Sequence, residues 1–145
     1  MLKKGASNEI GHSRGGASTK IHAIVDSYGY PVYFMISEGQ RNDINYAIPL
    51  LDHIEIDGSK VLADRGYDNQ LIDYIYDHGG EPTIPSRRGA KFERRCDWWF
   101  YKERHLVENY FLKLKAFRRI ATRYDKLAFT YLGFLCIVSI LIWLK

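Results

Sequence analysis

The stretch Tyr101–Lys126, YKERHLVENYFLKLKAFRRIATRYDK, sets the reading of the chain around it. Val107, Tyr110, Phe111, Leu114, Phe117 and Ala121 recur at three- and four-residue steps and predict one long amphipathic helix with a single apolar stripe. Tyr101, Arg104, Glu108 and Lys115 lie off that stripe. At about 100° per residue, Arg104 and Lys115 fall within roughly 40° and 20° of Glu108. One acid therefore stands in a column of cations, with a phenol about two turns before it. Arg118, Arg119 and Arg123 extend the positive charge towards the end of the stretch. The plain alternative is a solvated face in which Arg104 and Glu108 form an i,i+4 pair worth a few tenths of a kcal/mol.

Working outward, SKVLADRGYDNQ at 59–70 is the second informative segment. Lys60–Ala63 predicts a short strand, Asp64 follows at its carboxyl end, and a glycine-containing turn leads into a helix at 69–78. Asp68 is placed to cap that helix, with Leu71, Ile72 and Ile75 as its buried face. Read alone, Asp64 is as readily a turn or capping residue as a functional one.

The spacing of Tyr101, Arg104, Glu108 and Lys115 resembles the Y-R-E-K signature of bacterial insertion-sequence transposases of the IS-four and IS-five type, with all four positions matched. The following FRRIATRYDK and the ADRGYD run at 63–68 resemble the same family, with Arg65 where Lys is commoner. The resemblance implies an α/β, RNase H-like catalytic domain with a mixed sheet flanked by helices. Asp64 and Glu108 would then be the second and third acids of an Asp-Asp-Glu site holding Mg²⁺ or Mn²⁺. Two such ions activate a water or a DNA 3′-hydroxyl and steady the leaving oxygen. It further implies DNA contacts at Tyr101, Arg104, Lys115 and Arg119, with transposon terminal inverted repeats and target DNA as partners and a homo-oligomer on DNA. The alternatives are a metal-dependent nuclease on the same fold and a non-enzymatic, basic, membrane-anchored protein.

Thr19–Val25 and VYFMIS at 32–37 predict a hairpin whose turn opens on Asp26. His22 within it reads as a packed or hydrogen-bonded histidine. Asn42 or Asp43 is expected to cap a short helix interrupted near Pro49, and Asp43 matches a Gly-x-x-x-Asp pattern of the resembled family. Residues 1–19, polar and rich in Gly and Ser, predict a flexible lead-in, with GHSRGGAS as a loop. Residues 20–145 are expected to form the partial catalytic domain. By resemblance its first strand, carrying the first acid, is missing; Asp26 lies at the wrong end of the sheet to replace it. An upstream transposase part is expected to supply that acid, which leaves this chain inactive alone.

A short strand is expected at Pro82–Ile84, followed by a basic loop over 86–97. Arg87, Arg88, Lys91, Arg94 and Arg95 fall within this loop, with Phe92, Trp98, Trp99 and Phe100 among and behind them. The cations suit DNA phosphates, while the aromatics either stack on bases or anchor the long helix. The tail 127–144, LAFTYLGFLCIVSILIWL, is uncharged and sits at the lower limit for a membrane span. Thr130, Gly133 and Ser139, spaced as small packing positions, favour a buried core helix and no membrane. A net charge of +4 over 145 residues suits a nucleic-acid partner. Two distant cysteines and no apolar leader fit a cytoplasmic, nucleoid-associated protein.

Overall fold

The computed structural model describes residues 11–13 and 16–145, with side chains from Ser18 onward. Strands β1 (Gly11–Ser13), β2 (Gly16–Val25) and β3 (Pro31–Glu38) form one antiparallel sheet. Helix α1 (Ile44–Leu51) leads to a parallel pair, β4 (Lys60–Leu62) and β5 (Glu81–Thr83), joined by helix α2 (Asn69–Asp77). Helices α3 (Trp98–Tyr101), α4 (His105–Lys115), α5 (Arg118–Ala121) and α6 (Ala128–Trp143) complete the chain, with a 3₁₀ turn at Lys102–Arg104 between α3 and α4.

Alternation along β2 explains the layering. Ile21, Ala23 and Val25 pack on one core with Phe34, Ile36, Tyr110, Leu114, Ile120 and the inner face of α6. Ile24 faces the other way, into a core of Leu51, Ile56, Leu71, Ile75 and Ile84. The hairpin is thus a wall between two helical layers. Its turn forms as expected: Asp26 Oδ1 accepts from the N–H groups of Tyr28 and Tyr30, both at 2.9 Å, and Gly29 takes φ +84°. Helix α2 also matches its expectation, with Asp68 accepting from Leu71 N and with Leu71 and Ile75 buried.

The sheet reaches further back than predicted. Residues 11–13 and 16–18, expected as loop and lead-in, pair in register, with Gly11 opposite Ser18 and Ser13 opposite Gly16. Their polar, glycine-rich sequence carries no alternation that would reveal a strand. The rest of the lead-in, including Arg14, lies outside the described residues.

Three helical expectations are corrected. The helix predicted over 101–126 begins earlier, at Trp98, where Asp97 accepts from Trp99 N and Phe100 N, and stops at Lys115. Phe117 is extended (φ −95°, ψ 114°) and starts a separate turn. That break lets Ile120 enter the core, where the Tyr131 hydroxyl donates to its carbonyl at 3.0 Å. Helix α1 runs through Pro49 to Leu51, because burial of Leu50 and Leu51 holds its last turn. In α6 only Ser139 of the three small residues is buried; Thr130 and Gly133 lie on the exposed side.

The expected single mixed sheet is instead two small sheets within a mixed α/β fold. Among the described residues no strand joins β2 to β4. No helix among them is long and apolar enough to cross a membrane.

Candidate active site

Asp64 lies two residues beyond the end of β4 and is exposed. Its Oδ1 accepts from Gly66 N at 2.8 Å, which fixes the turn after the strand. A Cβ on Gly66 would begin 3.0 Å from that oxygen, so a glycine there lets the turn close on the carboxylate. Arg87 Nη2 donates to the Gly66 carbonyl at 2.9 Å, so the basic loop is fastened to the Asp64 turn rather than waving free. Arg88 is exposed in the same loop, and Arg94 carries a buried Nη1 with no hydrogen-bond partner.

Tyr67, three residues after Asp64, packs its ring on the α2 core. Its phenol is pushed up to about 12, chiefly by burial, with the carboxylates of Asp43 and Asp64 adding to the effect. It therefore stays a neutral donor near two acids. Periodicity gives no signal for this role, since Tyr67 sits in a turn.

Asp43 does not use its side chain to cap α1; Asn42 Oδ1 instead accepts from Ile44 N at 3.2 Å. The Asp43 carboxylate turns to β2, 3.1 Å from Lys20 Nζ and 3.5 Å from His22 Nδ1. His22 is buried, bonded to Ser37 Oγ at 2.7 Å and stacked on Tyr46. Burial lowers its pKa, as does Lys20, against the raising influence of Asp43. The histidine is the packed, hydrogen-bonded residue expected from the sequence.

The second motif forms its own contact set. Arg104 Nη2 lies 2.8 Å from Glu108 Oε1, and its guanidinium sits 5.7 Å from the centre of the Tyr101 ring. Glu108 is exposed on α4, while Tyr110 and Leu114 of the same helix are fully buried. Tyr101 meets Trp98 edge-on, and Arg65, next to Asp64, lies over that Trp98 at 5.7 Å. A run of ring and cation contacts thus connects the Asp64 turn to Tyr101, Arg104 and Glu108. Among the described residues Asp64 is joined to the second motif through its neighbour Arg65 and through Trp98. Among the described residues no three His, Cys, Asp or Glu side chains are close enough to share a metal ion.

The other predicted contacts divide. Lys115 is exposed and borders a small cavity with Thr19, Ile21 and Tyr131. Arg119 is half-exposed but already bound, with Nη2 2.9 Å from Asp125 Oδ1 and its guanidinium over Phe134. Trp98, Trp99 and Phe92 all expose much of their rings, so they do not simply anchor the helix. Phe100 is more sheltered, under Lys60 Nζ at 4.6 Å. A cleft of about 530 Å³ lies between β5 and the basic loop, along Glu81, Thr83, Arg95 and Cys96, and includes neither motif acid.

Comparison with known proteins gives the family of the chain. The family model described as Transposase DDE domain matches residues 3–143. A protein of Brucella ovis named as the transposase of insertion sequence element IS6501 is 34% identical over 133 residues, covering 88% of this chain and 99% of that protein. One of Burkholderia cepacia, named for element IS402, is 30% identical over 133 residues, and the match covers 84% of this chain and 61% of that protein. No solved structure matches. The chain therefore belongs to the DDE transposase family of insertion sequences.

Proposed function

We propose that this chain carries the second and third acids, Asp64 and Glu108, of a transposase that cuts and joins DNA at the ends of an insertion sequence. The observation that supports this most is the contact path from Arg65 through Trp98, Tyr101 and Arg104 to Glu108, which ties the two motif stretches together on one surface. Both acids are exposed hard oxygen donors of the kind Mg²⁺ and Mn²⁺ prefer, so the residues fit such an ion. Bound there, the ion supplies Lewis-acid activation of a water or a DNA 3′-hydroxyl and charge at the leaving oxygen. The protein's own part is positional. Gly66 and Arg87 hold the Asp64 turn, and buried Tyr110 and Leu114 fix the helix that presents Glu108.

Arg104 and Lys115 contact the phosphates of the reacting strand, Tyr101 packs on its sugar-phosphate backbone, and Arg87, Arg88 and Arg119 extend the positive track. The bound molecules are the terminal inverted repeats and the target duplex, with more than one copy of the chain on the DNA. The first acid is supplied by an upstream transposase part, on an RNase H-like strand lying between β2 and β4. Two observations favour this. The β1–β2–β3 sheet and the β4–β5 pair are separate, with no strand between them among the described residues and with β1 pairing β2 only at residues 16–18. Asp26 is also committed to its own turn. Cleavage therefore needs both parts.

The test joins the chain to an upstream segment bearing an Asp-containing strand and follows nicking and strand transfer on inverted-repeat DNA with Mg²⁺. The joined protein should cleave and transfer. Asp64→Ala and Glu108→Ala should each abolish both steps while DNA binding stays within a few-fold. Cleavage without strand transfer would indicate a nuclease on the same fold. Full activity of the isolated chain, surviving loss of either acid, would end the proposal.

A further inference from the structure

The basic loop returns to one place at both of its ends. At its start Arg87 Nη2 donates to the Gly66 carbonyl at 2.9 Å. Just past its end the Trp98 ring lies under the Arg65 guanidinium, 5.7 Å from ring centre to Cζ. Residues at opposite ends of the loop are thereby held to the two neighbours that follow Asp64. Between these ends the loop has its own framework. The Ala90 N–H donates to the Arg87 carbonyl at 3.1 Å, Gly89 takes φ +78°, and Ser86 Oγ accepts from Arg94 N at 2.5 Å. Asp97 caps α3, which sets Trp98 on the first turn of a helix.

Gly66 is the point of transfer. Its N–H donates to Asp64 Oδ1 at 2.8 Å while its carbonyl accepts from Arg87, so a displacement of the loop moves the residue on which the carboxylate leans. We propose that Arg65 and Trp98 are positioning residues for Asp64: with Arg87 they clasp both ends of the basic loop to the two residues behind the acid, so that DNA held by the loop decides where the carboxylate stands. This role rests on Asp64 being one of the metal-holding acids, as proposed above.

Charge and exposure favour a clasp over separate contacts. Arg87, Arg88, Lys91, Arg94 and Arg95 stand in the loop against Glu93 and Asp97, so the loop is a part that a duplex grips. Arg65 is exposed, yet its planar guanidinium lies on an aromatic face, a contact worth a few-fold at such a site. The Trp98 ring is 53% exposed, so filling the core is not its role. It meets Tyr101 edge-on at 5.5 Å and so touches both the turn of one acid and the motif stretch of the other. A misplacement of about 1 Å can cost on the order of 100-fold in rate, so a weak clasp has leverage on turnover well beyond its own strength. DNA and the ion then bias the same turn, and each tightens the other's binding by the same factor.

The test follows hydrogen exchange of amides 64–68 in the full chain, with and without a mixed-sequence DNA duplex. The duplex should slow exchange there by about three-fold or more in the unaltered chain. Arg65→Gln and Trp98→Ala should each bind DNA within a few-fold and keep the circular dichroism spectrum, yet lose that slowing. Arg65→Lys and Trp98→Phe, which keep a cation over a ring, should retain it. In the chain joined to the upstream part, at saturating DNA with Mg²⁺, Arg65→Gln and Trp98→Ala should each lower kcat about ten-fold with KM unchanged. The double variant should fall no further than either alone. The clasp is overturned by a turn whose exchange ignores DNA, by slowing that survives loss of Trp98, by Arg65→Gln weakening DNA binding as a plain phosphate contact would, or by kcat losses that multiply. Asp64→Ala keeps the two readings apart. If it abolishes cleavage while Arg65→Gln is fully active, only the clasp fails; if cleavage survives it, the active-site reading has failed.

Discussion

The Arg104 guanidinium holds the Glu108 carboxylate at 2.8 Å across one turn of α4, so two of the four motif residues are paired with each other. A cation bound at Glu108 must compete with that guanidinium. Arg104→Gln should therefore tighten Mn²⁺ binding, by about two-fold given the small worth of a half-exposed i,i+4 pair. The same change should weaken DNA binding. Mn²⁺ titration followed by electron paramagnetic resonance, set beside DNA affinity, measures both; movement of the two affinities in the same direction would contradict the assignment.

Arg87 and Arg88 are neighbours in sequence with different surroundings. Arg88→Gln should lower the slope of log affinity against log salt by about 1 and do little else. Arg87→Gln should lower it similarly and also loosen the Asp64 turn, because its guanidinium bonds the Gly66 carbonyl. In the joined protein at saturating DNA, Arg87→Gln should slow cleavage while Arg88→Gln leaves it unchanged. Equal cleavage rates would show that the Gly66 bond does not matter.

Tyr110 on α4 and Ser139 on α6 share a buried hydrogen bond of 2.9 Å. Tyr110→Phe should cost about 1 kcal/mol in urea unfolding, and Ser139→Ala a similar amount. The double variant should cost less than the two together, since one bond is lost rather than two. Leu135→Asp, which buries an unpaired carboxylate beside this pair, should cost roughly 3–5 kcal/mol. Ile137→Asp, on the exposed side of the same helix, should fold.

His22 gives stability a pH dependence of definite sign. Its folded pKa lies below the ordinary 6.5, so below that pH the unfolded chain binds a proton that the folded one resists. Its contribution is complete above about 6.5 and is lost as pH falls towards the lower folded value. Lys20 and Asp43 both face the ring and largely oppose each other, which leaves burial in charge. In His22→Gln, urea midpoints between pH 7 and pH 5 should fall less steeply than in the unaltered chain. An unaltered slope would rule out His22 as the source.

Where sequence was sufficient, the deciding interactions are local. Asp26 and its turn lie within five residues, and Asp68 caps the helix that it begins. The extent of α6 follows from an uninterrupted apolar run. The break at Phe117 was not legible, because Ala116 and Phe117 carry no stop signal and the cause is Ile120 seeking Tyr131, eleven residues on. β1 is three polar residues, too few to show alternation. At the site, spacing identified Tyr101, Arg104 and Glu108 as one group. It could not show Arg65 over Trp98, which joins residues 33 positions apart, or the Tyr67 phenol near Asp43 and Asp64.

The two-faced alternation of β2 makes the hairpin intolerant of slippage. Moving β2 by one residue against β3 would send His22 into the apolar layer beneath α4 and α6 and bring Ile21 and Ala23 out to Asp43 and Tyr46. Neither layer can absorb the exchange, since one would bury an imidazole without Ser37 and the other would receive Ile21 and Ala23 parted from their cross-strand partners Ile36 and Phe34. The pairing of Ile21 with Ile36 and of Ala23 with Phe34 must therefore be settled before either layer closes. The slowest event in folding this domain is expected to be alignment of that hairpin, with the helices docking afterwards.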